Sequence, residues 1–420
     1  MSTISHLDIY LHDRPVGVLV LLPGDRSLFT FLDEYIEDTA RPVLSLSFKD
    51  EFGETITATR PVQTKLPPFF SNLLPEGIMR NYLAARAGVK ESREFFLLWV
   101  LGEDLPGAVT ARPADGVKPP PHSALSDARQ WEKEDDHLKF SLAGVQLKLS
   151  ALRRTHGGLT IPARGLGGDW IVKLPDLRFA GIPENEFSMM SLARHMGIAV
   201  PEIALLDLDE IDGLPRDITV VKDQNGLKGQ TGVQGQAFAV RRFDRPEGGG
   251  RVHTEDFAQI FRLYPERKYE RANYRNIAEV IAAEIGMDGI EDFIRRLVFN
   301  ILIGNGDMHL KNWSLIYPDR RHAALAPAYD YVSTIPYIKS DTFALNLGGQ
   351  KRFDDIGLDA FLDMADKASL STKMTRRIAL ESVTRFREVW QKEHPHLPMH
   401  DSVRNAIAAN LNRCPLAKAQ

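Results

Sequence analysis

The sequence predicts an α+β fold, rich in β-structure over its first half and helical over its second. Three observations predict it. Apolar and polar residues alternate near the start, as in Leu7-Asp-Ile-Tyr-Leu-His, the period of a half-buried strand. Phe293, Leu297 and Ile301 recur at helical spacing in a run that meets Gly304 and Gly306, residues that let a helix stop and the backbone turn. Past that turn stands a knot of polar residues, Asn305, Asp307, His309, Lys311 and Asn312, flanked on both sides by apolar sequence. Such a knot beside a core reads as a site more readily than as a connection.

The spacing inside the knot points to a chemistry. Asp307 and Asn312 are five positions apart, and a third oxygen donor, Asp330, follows the strand-like segment Trp313-Ser-Leu-Ile-Tyr. Phosphoryl transfer from ATP asks for such a set. One carboxylate orients the attacking hydroxyl and accepts its proton, while an Asn oxygen and a second carboxylate hold Mg²⁺ on the phosphates. Protein kinases carry the first pair as Asp-x-x-x-x-Asn. The bare spacing also suits a helix cap followed by a turn, so the surrounding residues decide.

Those residues are specific. Phe299-Asn-Ile-Leu-Ile-Gly-Asn-Gly-Asp-Met-His-Leu-Lys-Asn-Trp-Ser, followed by Leu325-Ala-Pro-Ala-Tyr-Asp-Tyr-Val-Ser-Thr, resembles the HipA family of bacterial serine/threonine kinases, the toxins of toxin–antitoxin pairs. The resemblance implies a bilobal protein-kinase-like fold with a β-rich N-lobe, an all-helical C-lobe and an N-terminal β-rich subdomain. Its boundaries fall at residues 1–112 for the subdomain, 113–136 for a linker, 137–244 for the N-lobe and 245–420 for the C-lobe.

In chain order, Leu7–His12 and Val16–Leu22 read as strands around the turn signal Asp13-Arg-Pro, and Pro42–Phe48 alternates as a third strand. Leu66-Pro-Pro-Phe-Phe-Ser-Asn-Leu-Leu-Pro-Glu-Gly, leading into a helical pattern through Leu83 to Ala87, resembles the family's N-terminal subdomain, as does Gly102-Glu-Asp-Leu-Pro-Gly-Ala-Val. Packing or partner contact is the role expected there. Pro119, Pro120 and Pro121 mark an extended spacer.

His137–Leu152 reads as strand, turn and strand, and its turn at Ala143-Gly144 can offer backbone N–H groups to phosphate. It resembles the family's phosphate loop, which places Ser141, Ala143, Gly144, Gln146 and Lys148 around the nucleotide and makes Ser141 an inactivating autophosphorylation site. Leu147 stands where the family motif commonly has an acid. Trp170-Ile-Val-Lys173 is a short strand bearing one lysine, the type that holds the α- and β-phosphates in kinases. Glu186, in the first turn of the helical stretch from Pro183 to Met196, is expected to pair with Lys173, and Glu184 is the second choice. Residues 198–208 read as a strand and 209–235 as loop.

Gln236-Ala-Phe-Ala-Val-Arg-Arg-Phe resembles the strand and hinge that frame adenine, with Arg241 and Phe243 at the nucleotide. Arg241 replaces the family's usual glutamate. His309 and Lys311 complete the nucleotide set implied by the resemblance. Thr254, followed by acids, is expected to cap a helix. Lys268-Tyr-Glu matches the family, but Arg271-Ala-Asn-Tyr replaces the Gly-Gly-Pro expected soon after. Residues 358–413 read as successive amphipathic helices.

Composition bounds the rest. At 420 residues, 43% hydrophobic and 26% charged, the chain has the make-up of an ordinary globular protein of two or three units. Its formal net charge of −4 gives no global pull towards nucleic acid or membrane. No secretory pattern opens the chain and the single cysteine is Cys414, so a cytoplasmic protein without a disulfide framework is expected.

The leading reading is therefore an ATP- and Mg²⁺-dependent serine/threonine protein kinase, with Asp307 as catalytic acid/base, Asn312 and Asp330 on the metal, and Lys173 with Glu186 on the phosphates. The resemblance adds an aminoacyl-tRNA synthetase as target, growth arrest as outcome, and a helix-turn-helix antitoxin of the HipB type as partner and sole link to DNA. A small-molecule kinase of the lipid or antibiotic type shares much of the loop. A non-catalytic corepressor is the reading from another class.

Overall fold

A computed structural model describes residues 6–57, 59–113, 148–154, 158–161, 167–176, 178–214 and 235–419. The chain divides into two compact units, each drawn from three places in the sequence. The first takes Met1–Val145, Asp244–Ala272 and His309–Ala326, and the second Gln146–Phe243, Asn273–Met308 and Pro327–Gln420.

The first unit is built on an antiparallel five-stranded sheet in the order Val62–Gln63, Arg26–Phe31, Arg14–Leu22, His6–Leu11, Val109–Pro113. Leu7, Ile9 and Leu11 are fully buried while Asp8 and Tyr10 are half-buried, as the period of 2 requires. His12 and Asp13 both take positive φ, +51° and +61°, the backbone of a tight hairpin. Phe29, Phe31, Phe48, Phe69 and Phe70 fill the space beside the sheet, with ring centroids 4.8–5.6 Å apart.

Two local expectations fail here. Pro42–Phe48 is not a strand: its end, Leu46–Phe48, is a 3₁₀ turn, because the Ser45 hydroxyl accepts from Ser47 N and caps it. Serine side chains compete for backbone groups that a strand would use. Nor does Thr254 cap a helix. His253–Asp256 is a strand, and the cap of the next helix, Phe257–Ile260, is Asp256 in a reciprocal box with Gln259. That strand pairs with Ser314–Tyr317, which in turn pairs with Ala324–Leu325.

The second unit holds a six-stranded sheet in the order Ile211–Asp212, Leu159–Thr160, Lys148–Arg153, Trp170–Lys173, Gln236–Arg241, Ile203–Asp207. The helix Ile182–His195 packs on its last two strands. Among the described residues its further α-helices are Tyr274–Glu284, Met287–Leu302, Leu358–Lys367, Thr372–Glu393 and Asp401–Arg413. Phe293, Leu297 and Ile301 are fully buried, along with Ile294, Val298, Phe299 and Leu302. Phe299 stacks on Tyr331 at 5.5 Å and meets Phe386 edge-on at 5.8 Å. The end of Met287–Leu302 is sealed by Asn410, whose Nδ2 donates to the carbonyls of Ile301 and Leu302 at 3.0 Å, two of the groups every helix leaves without an internal partner.

Glu255 is an unusual core residue of the first unit, 1% exposed. It accepts from Leu46 N at 3.0 Å and from the Tyr317 hydroxyl at 2.5 Å, and it pairs with the Ser45 hydroxyl. Burial pushes its carboxyl up to about 7; those hydrogen bonds oppose the shift and neighbouring Asp256 adds to it. A folded-state value above the ordinary 4.5 means that folding takes up a proton. The associated stabilisation is complete below about pH 4.5 and is lost as pH rises through about 7. Glutamine reproduces the protonated form. Urea denaturation of Glu255→Gln and the parent chain should therefore show the variant gaining relative stability from pH 4.5 to 8, by on the order of 3 kcal/mol.

Candidate active site

The second unit gathers four charged side chains beside the two central strands of its sheet. Lys173 ends the strand Trp170–Lys173, in register with Lys148 on one neighbouring strand and Phe238 on the other. It is 4% exposed. Its ammonium bonds Glu186 Oε1 and Asp330 Oδ1 together, and Lys148 Nζ reaches the other Asp330 oxygen, Oδ2, at 3.2 Å. Of the two acids early in the helix, Glu186 is the one that meets Lys173. Glu186 is 1% exposed.

A buried ammonium is tolerated only where carboxylates face it. Burial pulls the Lys173 pKa down, but Asp330 and Glu186 outweigh it and hold the lysine above its ordinary value. Burial pushes Asp330 up, yet Lys148 and Lys173 outweigh it and hold the carboxyl well below the usual range. Burial raises Glu186 despite the attraction of Lys173. Asp330 is thus a permanent anion beside a permanent cation.

The backbone at Asp330 is held in the left-handed region, φ +56°, a conformation that costs a non-glycine residue energy and persists only where the surroundings impose it. They do so from both sides. Ala328 N donates to Ala199 O at 2.7 Å, and Tyr331 stacks on Phe299. Beyond, Ser333 N donates to Asn185 Oδ1 at 3.1 Å while Asn185 Nδ2 donates to Ser333 O at 2.8 Å. One turn of helix therefore supplies Glu186 to the lysine and Asn185 to the segment carrying Asp330. Asn185 stood in the sequence between the two candidate glutamates, and no spacing rule marked it.

The same segment latches the turn before Asp307. Thr334 Oγ1 accepts from Gly306 N at 2.7 Å and donates to Gly304 O at 3.1 Å, and Thr334 N donates to the same carbonyl at 3.0 Å. Asn305 Nδ2 donates to Asn300 Oδ1 at 2.8 Å, and Asn305 Oδ1 accepts from Asp307 N at 3.0 Å. Gly304 has φ +67°, and an added Cβ would run into Ile335. Asp307 emerges from this turn half-buried.

The other candidates are distributed as follows. Phe243 lies 5.6 Å from the Tyr329 ring, one residue before Asp330. The Arg241 guanidinium is directed to Glu202 at 3.7 Å. His309, Lys311 and Asn312 belong to the first unit. There the His309 ring meets Tyr269 edge-on at 4.9 Å, Asn312 N donates to His309 O at 2.9 Å, and Lys311 Nζ is turned to Glu76 at 2.9 Å. Ser141, Ala143, Gly144, Gln146 and Leu147 lie outside the described residues.

The donors fit a magnesium nucleotide. Mg²⁺ takes oxygen ligands, commonly one or two carboxylates with phosphate and water, and Asp330 is an oxygen donor kept ionised. Lys173 and Lys148 are cations of the kind that face phosphate.

The fold and this lysine–carboxylate cluster define a protein of the kinase-like α+β class. Comparison with known proteins names the family: residues 7–112 match the HipA N-terminal domain and residues 140–390 the HipA-like C-terminal domain. The chain belongs to the HipA family. It is 52% identical over 413 residues to "Putative kinase Y4dM" of Sinorhizobium fredii, covering 97% of this chain and 96% of that one. It is 26% identical over 372 residues to the serine/threonine-protein kinase toxin HipA of Shewanella oneidensis, covering 80% and 77% of the two chains. A solved structure of the Shewanella oneidensis MR-1 toxin–antitoxin system, HipA with HipB and operator DNA, superposes with a TM-score of 0.70 at 21% identity, over 98% of this chain and 96% of that one. Among the described residues no helix is long and apolar enough to cross a membrane.

Replacing Lys173 by methionine strands the buried Glu186 carboxylate and takes one of two lysine partners from half-buried Asp330. Urea denaturation should show Lys173→Met losing about 3 kcal/mol, with part of the loss recovered in Lys173→Met/Glu186→Leu.

Proposed function

We propose that this chain is the toxin of a toxin–antitoxin pair, a serine/threonine protein kinase that transfers the γ-phosphate of ATP to a serine of a protein target. The observation that carries the reading is Lys173 shared between Glu186 and Asp330, with Asp330 held in a left-handed backbone. Kinases need a strand lysine oriented by a helix glutamate and a metal-binding aspartate beside them. Family membership and the relatives' names support the same chemistry.

Each residue then has a task. Lys173, kept extended by Glu186, meets the α- and β-phosphates. Asp330 and Asn312 are the oxygen donors for Mg²⁺, which supplies charge neutralisation on the phosphates when bound. Asp307, on its latched turn, orients the target hydroxyl and accepts its proton. Lys148, at the start of its strand, adds a cation to the phosphate side, and Phe243 with Arg241 frames the adenine end. Ser141, Ala143, Gly144 and Gln146 form the phosphate loop, and phosphate on Ser141 would place about two negative charges beside those of ATP, switching the enzyme off.

The target class is an aminoacyl-tRNA synthetase, whose modification arrests growth in the cytoplasm. The partner is a helix-turn-helix antitoxin through which the chain meets operator DNA; the Shewanella protein was solved in a complex with HipB and operator DNA.

Purified chain given [γ-³²P]ATP and Mg²⁺ should label protein, itself included, and EDTA should abolish labelling. Asp307→Asn should lower transfer by at least 10³-fold and relieve growth arrest while the melting temperature stays within a few degrees of the parent. Full activity in Asp307→Asn would overturn the reading.

A further inference from the structure

The Leu-Leu-Pro-Glu-Gly segment of the N-terminal part has no role in the chemistry above, yet its acid is at the centre of a buried ion cluster. Glu76 Oε1 faces Lys311 Nζ at 2.9 Å and its Oε2 accepts from Lys268 Nζ at 2.8 Å. Lys311 Nζ also donates to Asn72 O at 3.0 Å and lies 3.8 Å from Asp256 Oδ2. The Lys311 side chain is only 14% exposed and that of Lys268 8%. All five residues belong to the first unit.

From this cluster we infer that Glu76 is a positioning residue for the proposed metal donor Asn312, acting through Lys311. Lys311 is the middle residue of the one-turn 3₁₀ helix Leu310–Asn312. The turn is held at its start by Leu310 N, which donates to Lys268 O at 3.1 Å. Both lysines that Glu76 grips are thus fastened to this turn, Lys311 as part of it and Lys268 through its backbone carbonyl. With Lys311 drawn onto Glu76, the neighbouring Asn312 is left 8% exposed, its N donating to His309 O at 2.9 Å.

Burial pushes the Glu76 carboxyl up, but Lys311 and Lys268 outweigh it and hold it well below the usual range. Burial pulls Lys311 down, and Glu76 and Asp256 outweigh that in turn. Glu76 and Lys311 thus each favour the charged form of the other. Lys311 serves the chemistry by holding the backbone beside Asn312, and the N-terminal part of the chain becomes a component of the catalytic apparatus.

The inference rests on Asn312 being a metal donor, so the test separates the two. Glu76→Gln, Glu76→Asp and Lys311→Met are compared with the parent chain and with Glu94→Gln. Glu94 is a more deeply buried acid of the same unit, paired with Arg80 at 3.0 Å and bonded to Leu66 N at 2.8 Å. Five quantities are read: kcat, the KM for ATP, the Mg²⁺ concentration giving half-maximal rate, Mn²⁺ binding in the presence of ATP by electron paramagnetic resonance, and the melting temperature.

Glu76→Gln and Lys311→Met should weaken Mn²⁺ binding and raise the Mg²⁺ requirement at least tenfold, with kcat falling and the KM for ATP changing less than threefold. Glu76→Asp should recover part of both. Glu94→Gln should lower the melting temperature without moving the metal requirement. Should Glu76→Gln fail to fold, Glu76→Asp alone decides: an unchanged metal requirement in that variant overturns the inference. An equal rise in Glu94→Gln overturns it too, since the effect would then be general loosening. An inactive parent chain would instead overturn the reading of the site.

Discussion

The second unit depends on one shared ammonium. Lys173 sits where three structural layers meet: the strand that carries it, the helix that brings Glu186, and the segment that brings Asp330. Burying a charge is expensive, and the cost is met only if all three arrive together. The cluster is thus a specificity device as well as a site. A strand slipped by one residue would turn Lys173 to the opposite face of the sheet and leave Glu186 and Asp330 without their cation.

The polar residues around this cluster repeat a single tactic: a side chain fixes a backbone that has no regular partner. Asn185 brackets Ser333, Thr334 bridges Gly304 and Gly306, and Asn305 holds Asp307 N. Irregular segments near a core have backbone groups that must be satisfied. Here they are satisfied by short, stiff side chains, which leave little freedom to the loops on which the site stands. The two consecutive helix residues Asn185 and Glu186 are the most economical case, one serving the backbone after Asp330 and the other the charge before it.

Much of this was legible in the sequence, and the residues show why. Leu7, Ile9 and Leu11 alternate and are buried; Phe293, Leu297 and Ile301 are spaced for a helix and are buried. Both are local periodicities, which a sequence displays directly. Lys173, Glu186 and Asp330 could be assembled only with a motif to join them, because 144 residues separate the two acids. What could not be read were side chains overriding a pattern. Ser45 turned an alternating stretch into a 3₁₀ turn, and Asp256 capped a helix that Thr254 had been expected to open. Glu76 was hidden for another reason: its partners are 192 and 235 residues away. The run Asp307–Asn312, which reads as one loop, is shared between two compact units, a division with no local signal.

The seal on the helix Met287–Leu302 bears on synthesis. The carbonyls of Ile301 and Leu302 take their hydrogen bonds from Asn410, made 109 and 108 residues later. A ribosome delivers the turn bearing Asp307 well before it delivers that amide. Until then the last carbonyls of that helix lack this partner, and its end is free to fray.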